Sequence, residues 1–144
     1  MKEIKYNLLD IEDNQFAVFP DNFIDGKNFV ATAMINISTK NEGAELKCES
    51  RLELKQEDNI ILVSEIVCKY SINKDSWEDI DDKKKMLPSG FIRHIASLAI
   101  GTQRGVILVR TKETPLHKIV LPPVNLTAVV KKDYVIEKMV MINK

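Results

Sequence analysis

The residues able to do chemistry in this chain are few and scattered. There are two histidines, His94 and His117, and neither has a partner at the spacing of a metal-ligand set. His94 falls two residues beyond Ile92 in an apolar stretch, where an imidazole serves as a hydrogen-bonded structural group rather than a general base. Cys48 and Cys68 are too few for a disulfide framework or a structural zinc site. They read as buried thiols behaving as small apolar groups. No serine stands in a Gly-x-Ser-x-Gly turn, and Gly101 and Gly105 lack the lysine and the glycine spacing of a phosphate loop. Carboxylates are numerous, but they fall on wet faces and form no pair whose surroundings would drive two pKa values apart. The sequence therefore assigns no catalytic residue, no metal and no cofactor, and points away from an enzyme.

Bulk properties exclude more. With 21 basic and 21 acidic residues among 144, the chain has no electrostatic footprint for DNA or RNA. No run approaches the ~18 apolar residues of a membrane span, and no apolar core of signal-peptide length follows Met1. The expectation is a cytoplasmic protein without membrane insertion, with residues 1–144 as a single domain large enough to bury its own core.

The elements that must position any site centre on residues 28–73. From Glu45 to Lys55 the odd positions are all charged, while the even ones are Leu46, Cys48, Ser50, Leu52 and Leu54. That period of two describes a half-buried antiparallel strand. The preceding strand, 28–40, carries Phe29, Ala31, Ala33, Ile35 and Ile37 on one face. An even loop around Glu42-Gly43 opposes Ile37 to Cys48, Ala33 to Leu52 and Ala31 to Leu54. The following strand, 60–72, puts its even residues on the same dry face across an odd loop, 57–59. There Asn59 is able to take the left-handed conformation, and Cys48 lies opposite Cys68, or opposite Tyr70 in a register slipped by two residues. A first strand is expected at 15–19, at a sheet edge where Pro20 is tolerated. Val30, Met34, Ile61, Val63 and Val67 point to the other face, more apolar residues than a solvent-only face needs. Either the N-terminal segment or a partner is expected to cover them.

Residues 75–85 read as a solvated charged linker. A long apolar helix then starts after Ser89, a fair N-cap, and its continuation to about Thr111 is favoured, although 106–111 would also suit a strand by propensity. Two adjacent stripes, Phe91-Ile95-Leu98 and Ile92-Ala96-Ala99, make it buried on most sides, and Gly101 with Gly105 suggests close helix packing rather than a break. Thr114-Pro115 ends it. Residues 117–121 read as extended, Pro122-Pro123 keeps the backbone extended, and Asn125 caps a short helix over 126–132. The tail is apolar enough to dock.

Strands first, then a long helix, a proline-rich return and a short helix: this order, together with Leu121-Pro-Pro-Val-Asn-Leu126 and Thr114-Pro115, resembles the SecB-like family of protein-export chaperones. The resemblance in order covers roughly residues 12–132. It implies an α+β fold, with a four-stranded antiparallel sheet followed by a long helix and a short C-terminal helix. It also implies assembly into dimers and a tetramer, and binding of unfolded polypeptide in apolar grooves without bond chemistry. Two features depart from the family: the exposed face of 45–55 alternates acidic with basic residues instead of being acidic, and aromatic residues are only 6%. Under this reading Phe29, Met34, Phe91 and Leu98 are candidates for client contact, and Ile92, Ala96, Gly101 and Gly105 for the oligomer interface. The alternatives are a scaffold oligomer of the same fold without clients, and an acyl-thioester enzyme of the hot-dog type. That last fold places its main helix before most of its strands.

Overall fold

The computed structural model describes residues 4–40, 44–73, 86–124, 126, 134–135 and 142–143. Four long strands form an antiparallel sheet: β1 (Tyr6–Val18), β2 (Val30–Lys40), β3 (Glu45–Gln56) and β4 (Asn59–Ile72). Their spatial order is β1-β4-β3-β2. The helix α1 (Ser89–Arg110) follows the short strand β5 (Met86–Leu87) and lies on one face of the sheet. It runs unbroken through Gly101 and Gly105. A 3-10 turn (Pro115–Lys118) begins the return. Two short strands come last: β6 (Tyr134–Val135), paired with β5, and β7 (Ile142–Asn143), paired with the outer edge of β2.

The alternating pattern sets the register as expected. Ile37 lies opposite Cys48, Ala33 opposite Leu52, Ala31 opposite Leu54, and Cys48 opposite Cys68. The amide of Ile72 donates to the carbonyl of Ala44 at 2.8 Å, which makes every second pair down this ladder, Cys48–Cys68 included, a hydrogen-bonded one. Cβ atoms at such a pair stand about 5.5 Å apart, wider than a disulfide accepts. Both cysteines are free thiols. Burial pushes their pKa values up, which keeps them protonated at neutral pH.

Several local features differ from expectation, each for a physical reason. The β3–β4 connection is a two-residue turn with positive φ at Glu57 and Asp58, not at Asn59. A bulge absorbs the odd residue: Leu54 faces Leu62 and Lys55 faces Ile60, so Ile61 is the extra one. Ile61 is accordingly buried in the core instead of pointing to the second face. Strand β1 starts at Tyr6 rather than at Gln15, because pairing with β4, not its own hydrophobicity, holds the segment. The ladder runs from Tyr6 opposite Ile72 to Val18 opposite Leu62, with Gln15 opposite Glu65.

The N-terminal segment thus lies in the plane of the sheet and does not cover its second face. On that face Val63 and Val67 are nonetheless buried. They sit on the interior strand β4, between Ala17 and Glu53 and between Glu12 and Glu49, where the stems of the neighbouring glutamates shield them. Val30 and Met34, on β2, stay exposed. The helix is preceded by Pro88 at its cap position, with Ser89 already inside the first turn. His117 belongs to the 3-10 turn rather than to an extended segment, because the Thr114 side chain caps that turn by accepting from the Leu116 amide. The expected loop at Glu42-Gly43, the linker at 75–85 and the short helix at 126–132 lie outside the described residues, except for Leu126.

Two apolar clusters fill the space between sheet and helix. The upper one joins Ile35, Ile37, Leu46, Cys48, Ile66 and Tyr70 to Ile92, Ile95, Ala96 and Ala99 of the helix. The lower one joins Leu52, Leu54, Ile61 and Leu62 to Ile107 and Leu116, with Phe16, Phe23 and Phe29 packed against it. Between them sits a buried polar pin. Gln103 accepts from Ser50 Oγ at 2.7 Å and donates to the carbonyls of Ser50 at 2.9 Å and Ser64 at 3.0 Å. A second glutamine, Gln56, holds the crossover from β1 to β2. It accepts from the Ile24 amide and donates to the carbonyls of Ile24 and Lys27.

Candidate functional site

The lower half of the molecule is left open by small residues and by the path of the return. Strand β2 presents Ile35 and Ile37 to the upper cluster but Ala31 and Ala33 to the lower one. The helix packs over β3 and β4, and at Ala31 and Ala33 the dry face of β2 looks across a space to residues 121–124. Pro122 and Pro123 hold this segment extended, and Leu116, buried at the start of the return, anchors it. The Arg104 guanidinium reaches across and donates to the Pro122 carbonyl, clasping the segment to the helix.

An apolar cavity lies on either side of that clasp. The inner one, of about 240 Å³, is bounded by Ala31, Ala33, Leu52, Ile100, Leu121 and Pro123. The outer one, of about 300 Å³, is bounded by Leu54, Leu62, Ile107, Leu108, Val120 and Leu121. Each has room for one or two apolar side chains rather than for a whole small ligand. The rim is apolar too: Leu108 is 62% exposed and Val120 84%. Exposed apolar residues gathered around a cavity mark a contact surface more strongly than isolated ones.

The four candidates for client contact are not brought together. Phe29 packs against the lower cluster, Met34 projects from the far face of the sheet, and Leu98 lies on the outward face of the helix. Phe91 packs against the upper cluster and meets the Tyr6 ring edge-on at 5.8 Å. None of them lines either cavity. Among the interface candidates, Ile92 and Ala96 are buried beneath the sheet within this chain, whereas Gly101 and Gly105 are exposed with open space beside each Cα. The four therefore do not share a surface.

His94 is exposed and bonded to the Tyr6 hydroxyl at 2.7 Å. His117 Nδ1 lies 2.7 Å from the Thr114 carbonyl. Among the described residues no three or more His, Cys, Asp or Glu side chains gather to hold a metal ion. No helix among them is long and apolar enough to cross a membrane. The far face of the sheet carries a third cavity, of about 410 Å³, beside Leu9, Ser38, Lys47 and Lys69. Lys47 and Lys69 lie directly opposite each other. Each is answered by a carboxylate, Glu49 at 2.9 Å and Glu12 at 2.6 Å. The hydrogen bond and charge of Lys69 hold the Glu12 pKa below its ordinary value.

Apart from Leu121 to Pro123, the residues that build the groove do not stand out in the sequence. The one available signal is three polar residues on dry positions: Ser50, Ser64 and, on the helix stripe through Ala96 and Ala99, Gln103. Comparison with protein-family models, with curated proteins and with solved structures gives no match.

Proposed function

We propose that this chain binds unfolded polypeptide as a SecB-like chaperone, holding extended apolar segments in the groove on either side of the Arg104–Pro122 clasp. The observation that carries this reading is the pair of adjacent apolar cavities with an exposed apolar rim at Leu108 and Val120. An extended chain presents side chains to one side at every second residue, and two small cavities take such side chains better than one deep pocket would. Assembly into a homo-oligomer fits the outward face of α1, where Leu98, Leu108 and Val109 are exposed beside Gly101 and Gly105. The glycines leave room for another backbone to approach closely.

The test is light scattering after size exclusion, repeated with a reduced, carboxymethylated protein diluted in from denaturant. An oligomer that comigrates with the unfolded chain and suppresses its aggregation supports the reading. Val120→Asp, placed at the most exposed rim residue, is expected to abolish comigration while leaving the unfolding midpoint unchanged. A stable oligomer that ignores unfolded chains replaces the chaperone with a scaffold.

A further inference from the structure

The two edges of the sheet are defended very differently. Strand β1 carries Asp10, Glu12 and Asp13 and is broken by two register shifts. Charges and bulges of this kind keep an edge from pairing with another chain. Strand β2 is in register with β3 over its whole length and has no charged residue from Val30 to Thr39. Among the described residues, only Asn36 and Ile37 are paired on its outer side, with Asn143 and Ile142 of β7.

The ladder shows which backbone groups face outward. The bond from the Ile72 amide to the Ala44 carbonyl means that even residues of β3 face β4, so its odd residues face β2. Each odd residue of β3 pairs with an even residue of β2. The odd residues of β2, among them Ala31, Ala33 and Ile35, therefore turn their N–H and C=O groups to the outer edge. Among the described residues no strand pairs with these three there. The side chains of Ala31 and Ala33 line the inner cavity. One short stretch thus offers outward backbone groups and the floor of an apolar groove.

We propose that the outer edge of β2 accepts an extended apolar segment of an unfolded polypeptide as an added strand, and that β7 is its resident competitor. The occupant is argued from the chain itself. Its own C-terminal strand, with Met139, Val140 and Met141 leading into Ile142 in the sequence, already sits on this edge by backbone pairing. Backbone pairing gives affinity without demanding a sequence, and the cavity beside it selects apolar side chains. The proposal rests on the polypeptide-binding reading and adds to it the backbone contact and a competing segment.

The test uses the full chain and its Ile142→Pro variant, which removes the amide paired to Ile37. The probe is a fluorescent synthetic peptide with the sequence of residues 135–144. The variant is expected to bind the peptide about tenfold more tightly than the unaltered chain, because the resident strand no longer competes. The same peptide N-methylated at its Ile142 position is expected to lose that binding. Equal affinity for both chains, or undiminished binding of the methylated peptide, overturns the proposal. So does a concentration-dependent dimer that disappears in the variant, since the edge would then belong to a second copy's tail. The carboxymethylated client separates the two readings. Client holding that Ile142→Pro leaves unchanged keeps the groove and removes the added strand. Peptide binding without client holding keeps the acceptor edge and removes the chaperone.

Discussion

The same three strands and the same helix run through both halves of this molecule, yet one half is closed and the other open. Above Gln103, the sheet meets the helix directly, and Ile35, Leu46, Ile66 and Ile95 are all but inaccessible. Below it, alanines at 31 and 33 take the place of isoleucines on β2, and the roof is a proline-rich segment held by one arginine. The difference teaches that openness here comes from what supplies the cover. A helix covers the upper half directly, its Ile92, Ile95, Ala96 and Ala99 recurring at helical spacing. The lower half is closed by Ile107 at the end of the helix together with the crossover and the return, which pack on the sheet through Phe23, Phe29, Leu116 and Leu121 and are tied down by Gln56 and Arg104.

The largest expected effect breaks the closed half. Ile95→Ala should cost about 2–5 kcal/mol in urea unfolding, whereas Leu121→Ala, at the open groove, should cost under about 1 kcal/mol. Similar costs at both sites would erase the distinction. Next comes the boundary. Gln103→Leu removes the partner of the Ser50 hydroxyl and two carbonyl contacts, and is expected to cost about 2 kcal/mol. The combination with Ser50→Ala and Ser64→Ala should recover part of that loss.

Two smaller effects sharpen the contrast. Ala96→Leu overfills the closed half and should cost about 1–3 kcal/mol. Ala33→Leu, pointing into the inner cavity, is expected to leave the unfolding midpoint unchanged or raise it, and to weaken client holding. Finally, Cys48 and Cys68 report closure by their chemistry. In the native chain both should react with iodoacetamide at pH 8 more slowly than in urea, by on the order of a hundredfold. Their raised pKa values also carry a sign. The folded state keeps protons that the unfolded state releases above the ordinary thiol value, so stability is present below that pH and falls as pH rises past it.

Much of the sheet is legible in the sequence because a strand buried on one face has little freedom of register. Shifting β3 by one residue would put Glu49 and Arg51 into the core in place of Cys48 and Ser50. The helix is legible for a similar reason, since Ile92, Ile95, Ala96 and Ala99 recur at helical spacing. The candidate site is not legible in the same way. Phe29, Met34, Phe91 and Leu98 stand out for size and apolarity, properties that core and surface residues share, and the fold sends them to four different places. Gln56 and Gln103 look like ordinary polar residues until the strands that surround them are in place.

By its own pattern the sequence determined strands β2 to β4, the facing of Ile37 to Cys48 and Cys48 to Cys68, and the helix, because periodicities of two and of about 3.6 residues are local properties of the chain. The length of β1 came from its pairing with β4. Tertiary structure alone decided the groove. Its walls come from residues 31–33, 52–54, 62, 100–108 and 116–124, and no local pattern encodes how a return segment crosses a sheet. That path is held by long-range contacts, Leu116 buried in the lower cluster and Arg104 to Pro122, whose partners come together only in the packed fold.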